Sequence, residues 1–457
     1  MTKPIRTTSD YQKLDAAHHI HAFLDQKVLN DKGALVIERG DRLHLWDTQG
    51  KRYLDGMSGL WCTNLGYGRK DLADVAHRQL QELPYYNLFF QTTHPRVNEL
   101  SELLFSLLPN RYSHAIYTNS GSEANEVLIR TVRRYWQILD KPEKSIMIGR
   151  WNGYHGSTLG STALGGMGFM HEMGGMLPGF AHIGEPYWYA RGGELDEQAF
   201  GLKAAAELET KILELGAEKV AAFVAEPFQG AGGMIFPPAS YWSEIQRICR
   251  KYDVLLCADE VIGGFGRTGE WFAHEHFGFE PDTLSIAKGL TSGYIPMGGL
   301  VLSKTIAEVL VEKGGVFASG LTYSGHPVAA AVAIANILAL RNEGIVTQVK
   351  NDTGPYLQKI LREAFNNHPL IGDVQGVGMV AALQFAEEKS SRKRFEAEND
   401  IAWHCRTVGF EEGLIIRSTL GRMIMAPALI ANHSELDELV EKTLRAVNRT
   451  GQELNLI

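Results

Sequence analysis

VLLCADEVIGGFGRTGE, residues 254–270, runs from a continuous apolar segment into two adjacent carboxylates, Asp259 and Glu260, and then into a loop dense in glycine. A short apolar run bounded by turn residues has the look of a buried strand. Charges at its end then call for an explanation. Gly264, Gly266 and Gly269 spell GxGxxG, which suits a dinucleotide. A carboxylate at a strand's end can instead serve the charge of some other cofactor. The order of the chain decides against the first reading. A dinucleotide fingerprint needs strand, glycines, a full helix, a second strand and only then the acid that holds the ribose. Here Glu280 and Asp282 precede the next strand-like segment, TLSIAK, and Asp259 and Glu260 would repel a pyrophosphate at the loop's mouth. The glycine match is treated as accidental.

Outward from this stretch, the chain between about Ser113 and Lys304 alternates short apolar runs with amphipathic segments. AIYT, IMIG, AAFVAE, VLLCADE, LSIAK and GGLVLS have strand character, whereas EANEVLIRTVRRYW and YWSEIQRICRKY have helical spacing. Such alternation predicts an α/β domain, a mainly parallel sheet with helices on both faces and ligands at the strands' C-terminal ends. The flanks differ. Beyond a helix near 328–342 come a long helix, a strand group around VGMVAALQF, a helix near 399–412, then LIIRS and MIMAP. The two ends are expected to form one smaller α+β domain, giving 1–65 and 331–457 as its parts and 66–330 as the large domain.

With 457 residues the chain exceeds one ordinary domain. Its 45 basic and 53 acidic residues give a net charge of -8, which makes no electrostatic case for nucleic acid. The N-terminal stretch MTKPIRTTSDYQKLDAAHH lacks the apolar core of a signal peptide, and VAAAVAIANILAL (328–340) is too short to span a bilayer, so no membrane association and a cytoplasmic location are expected. Cys62, Cys249, Cys257 and Cys405 form no CxxC pattern and read as reduced, buried thiols. His18, His19 and His21 cluster, but no CxxC or carboxylate set completes a metal site, and no metal is expected. Glycine, at 48 residues, exceeds the typical share of about 7% and suggests close backbone approach to a ligand.

Three features could carry chemistry. In NSGSEANE (119–126), Ser120 precedes a helix with Glu123 three residues on, as in a capping box, and a glycine-containing helix N-terminus suits a phosphate. Taken alone it reads more readily as an ordinary cap. In GLTYSGHP (320–327), Pro327 fits a first helical position, with Thr322 and Ser324 just ahead. Lys288 ends the apolar run Leu284–Ala287; desolvation would lower its pKa and make it a nucleophile able to form a Schiff base, whereas alone it reads as a surface lysine. Phosphate cradle, aldehyde-trapping lysine and strand-end carboxylate together match the needs of pyridoxal 5'-phosphate. Asp259 would then keep the ring nitrogen protonated.

The sequence resembles the class III, fold type I, pyridoxal-phosphate-dependent aminotransferases over nearly its whole length. Residues 255–299 carry the strand-end DE pair, the GFGRTG loop, Pro281–Asp282 and the AKG lysine in order, supported by NSGSEANE, WNGYHGST (151–158), EPFQGAGG (226–233) and TYSGHP. The resemblance implies Lys288 as the catalytic Schiff-base lysine and Asp259 as the partner of the ring nitrogen. It also implies Gly121 and Ser122 on the phosphate, Tyr154 stacked on one face of the ring and Val261 on the other. Thr322 is implied to reach the phosphate of a neighbouring subunit, making a homodimer with shared sites the minimum unit; dimers pairing into tetramers are left open.

Within the class, DGMSGLWCTNLGYG, YYNLFFQTTHP and LIIRSTLGRMIMAP are similar to the ω-amino acid and amine:pyruvate subgroup. That similarity implies Trp61 and Phe89 as apolar walls and Arg417 as the binder of the acceptor's carboxylate; without it, core aromatics and a structural ion pair are the plainer readings. Ornithine- and GABA-type relatives carry Glu where this chain has Ala231 and Gln where it has Ile262. Both departures make the site less polar and deprive Arg417 of its usual partner. The expected reaction moves an amino group from a terminal amine to pyruvate, yielding an aldehyde or ketone and L-alanine. An aminomutase or racemase on the same fold, or a nicotinamide-dependent dehydrogenase, are the alternatives.

Overall fold

A computed structural model describes residues 6–457; residues 1–5, on which the expected N-terminal domain part begins, lie outside the described residues. The N-terminal region forms an antiparallel meander of β1 (Ile37–Asp41), β2 (His44–Asp47) and β3 (Arg52–Asp55). The centre of the chain supplies β4 (Tyr112–Thr118), β5 (Ile146–Arg150), β6 (Phe180–Ile183), β7 (Val220–Ala225), β8 (Leu255–Asp259), β9 (Thr283–Ile286) and β10 (Gly298–Ser303). These seven make one sheet in the order β4-β10-β9-β8-β7-β5-β6. Pairing is parallel from β6 to β9, and β10 runs antiparallel to both β9 and β4.

The continuous apolar character of these strands follows from burial on both faces. Along β7 and β8, Phe223 and Leu256 join one core cluster while Val224, Leu255 and Cys257 join a second, together with Val127, Leu128, Val132 and Trp136 of the helix Gly121–Ile138. Alternation with period two therefore sends neighbouring residues into cores on opposite sides of the sheet. The helices Glu197–Leu215 and Tyr241–Lys251 pack together against the first of those cores. β6 had no counterpart in the sequence reading, because FAHI interrupts its apolar run with His182.

The C-terminal region adds β11 (Ile371–Val377), β12 (Val380–Phe385), β13 (Leu414–Ile415), β14 (Arg417–Thr419) and β15 (Arg422–Met425), with the helices Gly354–Phe365, Glu398–Glu411 and His433–Glu453. β13 pairs in parallel with β3, so strands from both ends share one sheet, and β11-β12-β15-β14 form another. Two details correct the sequence reading. Cys249, Cys257 and Cys405 are buried free thiols, but Cys62 is only half-buried. A carboxylate does join the N-terminal histidines: Asp15 meets His21 at 2.8 Å and His19 at 3.2 Å in a hydrogen-bonded group of which only His19 is exposed.

The helix Pro327–Asn342 has Pro327 in its first turn and is apolar nearly all round. Its one polar interior residue is informative. Buried Asn336 donates to the carbonyls of Gly289 (2.8 Å) and Leu290 (3.0 Å) and accepts from Ser292 Oγ at 2.5 Å, so it fixes the turn that follows Lys288. No single helix among the described residues is long and apolar enough to cross a membrane.

Candidate active site

β8 and β9 are parallel neighbours with Asp259 opposite Ser285, so the residues leaving their C-terminal ends arrive side by side. The two carboxylates of the opening stretch part company there, as adjacent strand residues must. Asp259 turns into a pocket that it shares with Lys288. Glu260 turns away and caps the short helix Ala273–Phe277, accepting from the backbone N–H of Ala273 (2.9 Å) and of His274 (2.7 Å) and meeting His274 Nδ1 at 2.9 Å. The glycine loop binds the protein itself. The N–H groups of Gly264, Phe265 and Gly269 all donate to backbone carbonyls, and buried Arg267 donates to Ser58 Oγ (3.1 Å) and Asn64 Oδ1 (2.6 Å). The loop, buried over residues 262–269, has the N–H groups of Gly264 and Gly269 already taken.

Asp259 is held by three groups. Its Oδ2 accepts from Asn125 Nδ2 at 2.9 Å and meets His155 Nδ1 at 2.7 Å, while Oδ1 accepts from the Val261 N–H at 3.1 Å. Asn125 is itself fixed, donating to the His155 carbonyl at 2.7 Å and accepting from Ser285 Oγ at 2.8 Å. Burial alone would raise the Asp259 pKa, but these partners, His155 foremost, outweigh it and hold the carboxyl below its usual range. Glu226 behaves oppositely: it lines the same pocket, accepts from the N–H groups of Tyr154 (3.1 Å) and Gly230 (2.8 Å), and burial raises its pKa.

Lys288 follows β9 in left-handed backbone, φ 43, an uncommon conformation for a residue with a side chain. Its side chain lines the pocket. Desolvation lowers its pKa, with Cys62, Asp259 and Glu226 opposing the shift and Arg417 adding to it. Its Nζ lies 5.6 Å from the Trp61 ring centroid.

Across the pocket, the helix Gly121–Ile138 begins. Ser120 Oγ accepts from the Glu123 N–H at 3.2 Å, but the Glu123 side chain reaches the Asn119 N–H at 2.7 Å, one residue before the cap, so the reciprocal capping box expected from sequence is not closed. The N–H groups of Gly121 and Ser122 have no partner among the described residues. Space here is tight: a Cβ on Gly121 would lie 3.0 Å from the Val261 methyls, and one on Gly156 would lie 2.5 Å from Ser122 Oγ. A concave backbone with free N–H groups at the positive end of an 18-residue helix is a fitting cradle for an anion.

Gly121, Ser122, Tyr154, Asp259, Val261 and Lys288 thus line one pocket. Trp61 and Arg417 adjoin it, the Arg417 guanidinium carbon being 5.3 Å from the Trp61 ring centroid. Trp61 packs in one cluster with Ala231 and Ile262. Among the described residues no carboxylate lies within ion-pairing distance of Arg417, and burial lowers its pKa. Phe89 and Thr322 do not line the pocket. Phe89 packs against Gly320, and Thr322 is exposed, its carbonyl accepting from Tyr85 Oη at 2.7 Å. Near them in the chain, Phe90 is 91% and Val316 88% exposed. Sequence reasoning quoted the segments that hold Asn125, His155 and Glu226 without singling these residues out. Their signal was a polar side chain inside an otherwise buried strand end or helix face.

Comparison with known proteins gives a consistent picture. The family model for class-III aminotransferases matches residues 27–447. The chain is 51% identical to the putrescine–pyruvate aminotransferase of Pseudomonas aeruginosa over 97% of both chains. It is 38% identical to the diaminobutyrate–2-oxoglutarate transaminase of Halomonas elongata over 95% of both. Among solved structures, the ω-transaminase of Pseudomonas jessenii in complex with PMP superposes with a TM-score of 0.94 at 37% identity, covering 97% of this chain and 99% of that one.

Proposed function

The chain belongs to the class-III aminotransferases, and from that membership we propose the donor class, the residue roles and the assembly that follow. It is a pyridoxal-phosphate enzyme that transfers an amino group from a terminal amine to pyruvate, giving an aldehyde or ketone and L-alanine. The preferred donor is a short terminal diamine of the putrescine type. The observation that carries this choice is the pairing of 51% identity with an apolar wall, in which Ala231 and Ile262 are both buried beside Trp61.

The pocket suits the cofactor on its own chemistry: unpartnered N–H groups for a phosphate, a desolvated amine, and a carboxylate kept ionised. When bound, pyridoxal phosphate supplies an aldehyde that condenses with amines and a protonated ring that withdraws electrons. Gly121 and Ser122 hold the phosphate through backbone N–H groups. Tyr154 and Val261 bound the two faces of the ring, and the ionised Asp259 keeps a proton on the ring nitrogen. Lys288, whose pKa desolvation lowers, would tether the cofactor and would carry a proton at Nζ to and from the donor's amine-bearing carbon.

Trp61 confines the donor's body, and Phe89, which lies outside this copy's pocket against Gly320, does so in the pocket of a second copy. Arg417, unpaired by any internal carboxylate, binds the carboxylate of pyruvate through its fork of N–H groups. It swings aside when the donor carries no carboxylate there. Residues 66–330 act as the cofactor-binding domain, and 1–65 with 331–457 as the smaller one. Thr322 is exposed outside this copy's pocket and serves the phosphate of a second copy, so the active unit is a homodimer.

A panel of amines with pyruvate, scored by alanine formed, tests the donor class. Short terminal diamines should lead it; α-amino acids leading instead would overturn the assignment. Sedimentation of the holoenzyme should give a dimer or larger, and a fully active monomer would remove Thr322 from the site.

A further inference from the structure

The wall that carries Trp61 is built on strained backbone and held from one point. Ser58, Gly59 and Trp61 all adopt positive φ, 43, 69 and 59. Two of these three carry side chains, so the conformation persists only if its surroundings impose it. Asp55, at the end of β3 and 1% exposed, imposes it. One carboxylate oxygen accepts from the Met57 N–H at 2.9 Å; the other accepts from the Gly59 N–H at 2.6 Å and from Tyr67 Oη at 2.6 Å. Ser58 Oγ is a second anchor, donating to the Ala426 carbonyl at 2.8 Å and accepting from Arg267.

The side chain that this turn presents has no tether of its own. Trp61 Nε1 is buried and has no hydrogen-bond partner among the described residues. The indole nonetheless stands 5.6 Å from Lys288 Nζ and 5.3 Å from the Arg417 guanidinium carbon. Its placement between the two cations therefore comes from the backbone beneath it and from the apolar side chains around it.

We propose that Asp55 and Tyr67 are positioning residues that set donor selectivity: their hydrogen bond locks the Met57–Trp61 turn and thereby fixes how much room Trp61 leaves beside Lys288 and Arg417. Neither touches a substrate on this account. The proposal rests on the aminotransferase reading above, and its effect passes wholly through Trp61.

Tyr67→Phe tests it, because the ring stays packed while the hydroxyl is lost. For terminal amines from propyl to hexyl, with pyruvate, the ratio of kcat/KM for the longest to the shortest should change by about fivefold or more, a span typical of a reshaped apolar pocket. In a Trp61→Ala background the same substitution should change that ratio by less than about twofold, since coupled residues are not additive. In Tyr67→Phe alone, the half-reaction with alanine, followed by the cofactor's visible spectrum, should stay within about threefold of the parent. An unchanged ratio in Tyr67→Phe, or an equal change in both backgrounds, would overturn the proposal. Failure of the parent protein to convert its cofactor with alanine would instead overturn the aminotransferase reading. Asp55→Asn should shift the ratio in the same direction, and if it does not fold, Tyr67→Phe decides alone.

Discussion

The floor and the wall of the pocket are built on opposite plans. On the floor, Asp259 has three partners, Asn125 has three hydrogen bonds, and the Lys288 turn is tied down by Asn336. On the wall, among the described residues, the Trp61 indole N–H has no partner and Arg417 has no carboxylate within ion-pairing distance. The bonds on the floor hold Asp259 and the Lys288 turn in place, although His155 Nε2 is buried there without a partner among the described residues. An unsaturated wall leaves polar groups waiting for a substrate. On the roles proposed above, the chemistry falls to the strand ends and the choice of substrate to Trp61 and Arg417 facing them.

That division breaks most visibly at Lys288. Lys288→Ala should lower alanine formation by about 10⁴-fold or more with every donor alike, combining lost tether and lost proton carrier. A loss confined to some donors would show that the floor also selects. Arg417→Ala should act the other way. We expect the KM for pyruvate to rise about 10- to 100-fold, the scale of a lost charge-assisted pair, with the cofactor's conversion by a monoamine nearly unchanged. Full activity with pyruvate in that variant would remove Arg417 from acceptor binding.

Smaller effects sharpen the contrast inside the floor. Glu260→Gln should cost about 1–3 kcal/mol of stability by urea denaturation, because a cap is weakened, and should leave the donor order intact. Lys288→Met in the apoprotein should raise the Tm by about 1–3 °C near neutral pH. The folded pKa of Lys288 lies below that of the unfolded chain, so between the two values the unfolded state binds more protons and stability climbs with pH. The advantage of Met should therefore shrink as pH rises toward the ordinary lysine value of 10.5, and an advantage independent of pH would contradict a desolvated amine.

Much of the floor was legible because it follows from chain order. An apolar run ending in Asp259, another ending before Lys288, and a helix start at Gly121 become neighbours once the strands are parallel and adjacent. What stayed hidden depends on side-chain direction. The fates of Asp259 and Glu260 differ only through the alternation of the strand, and the sequence does not say which of them faces the pocket without the strand's register. His155 and Asn125 come from segments that are distant in the chain, and nothing local announces that both meet one carboxylate. Glu123 was expected to bond the Ser120 N–H and instead takes that of Asn119, a shift of one residue that no spacing rule resolves. The wall was legible only by resemblance: Trp61 and Phe89 look like core aromatics in isolation, and the strain at Ser58 and Trp61 exists only in the folded backbone.

Borohydride reduction of the purified holoenzyme, followed by peptide mapping, tests the central pairing of a desolvated lysine with a strand-end carboxylate most directly. The cofactor should be found attached to the peptide containing Lys288 and to no other. Attachment at another lysine, or no attachment in protein that still forms alanine, would contradict the account.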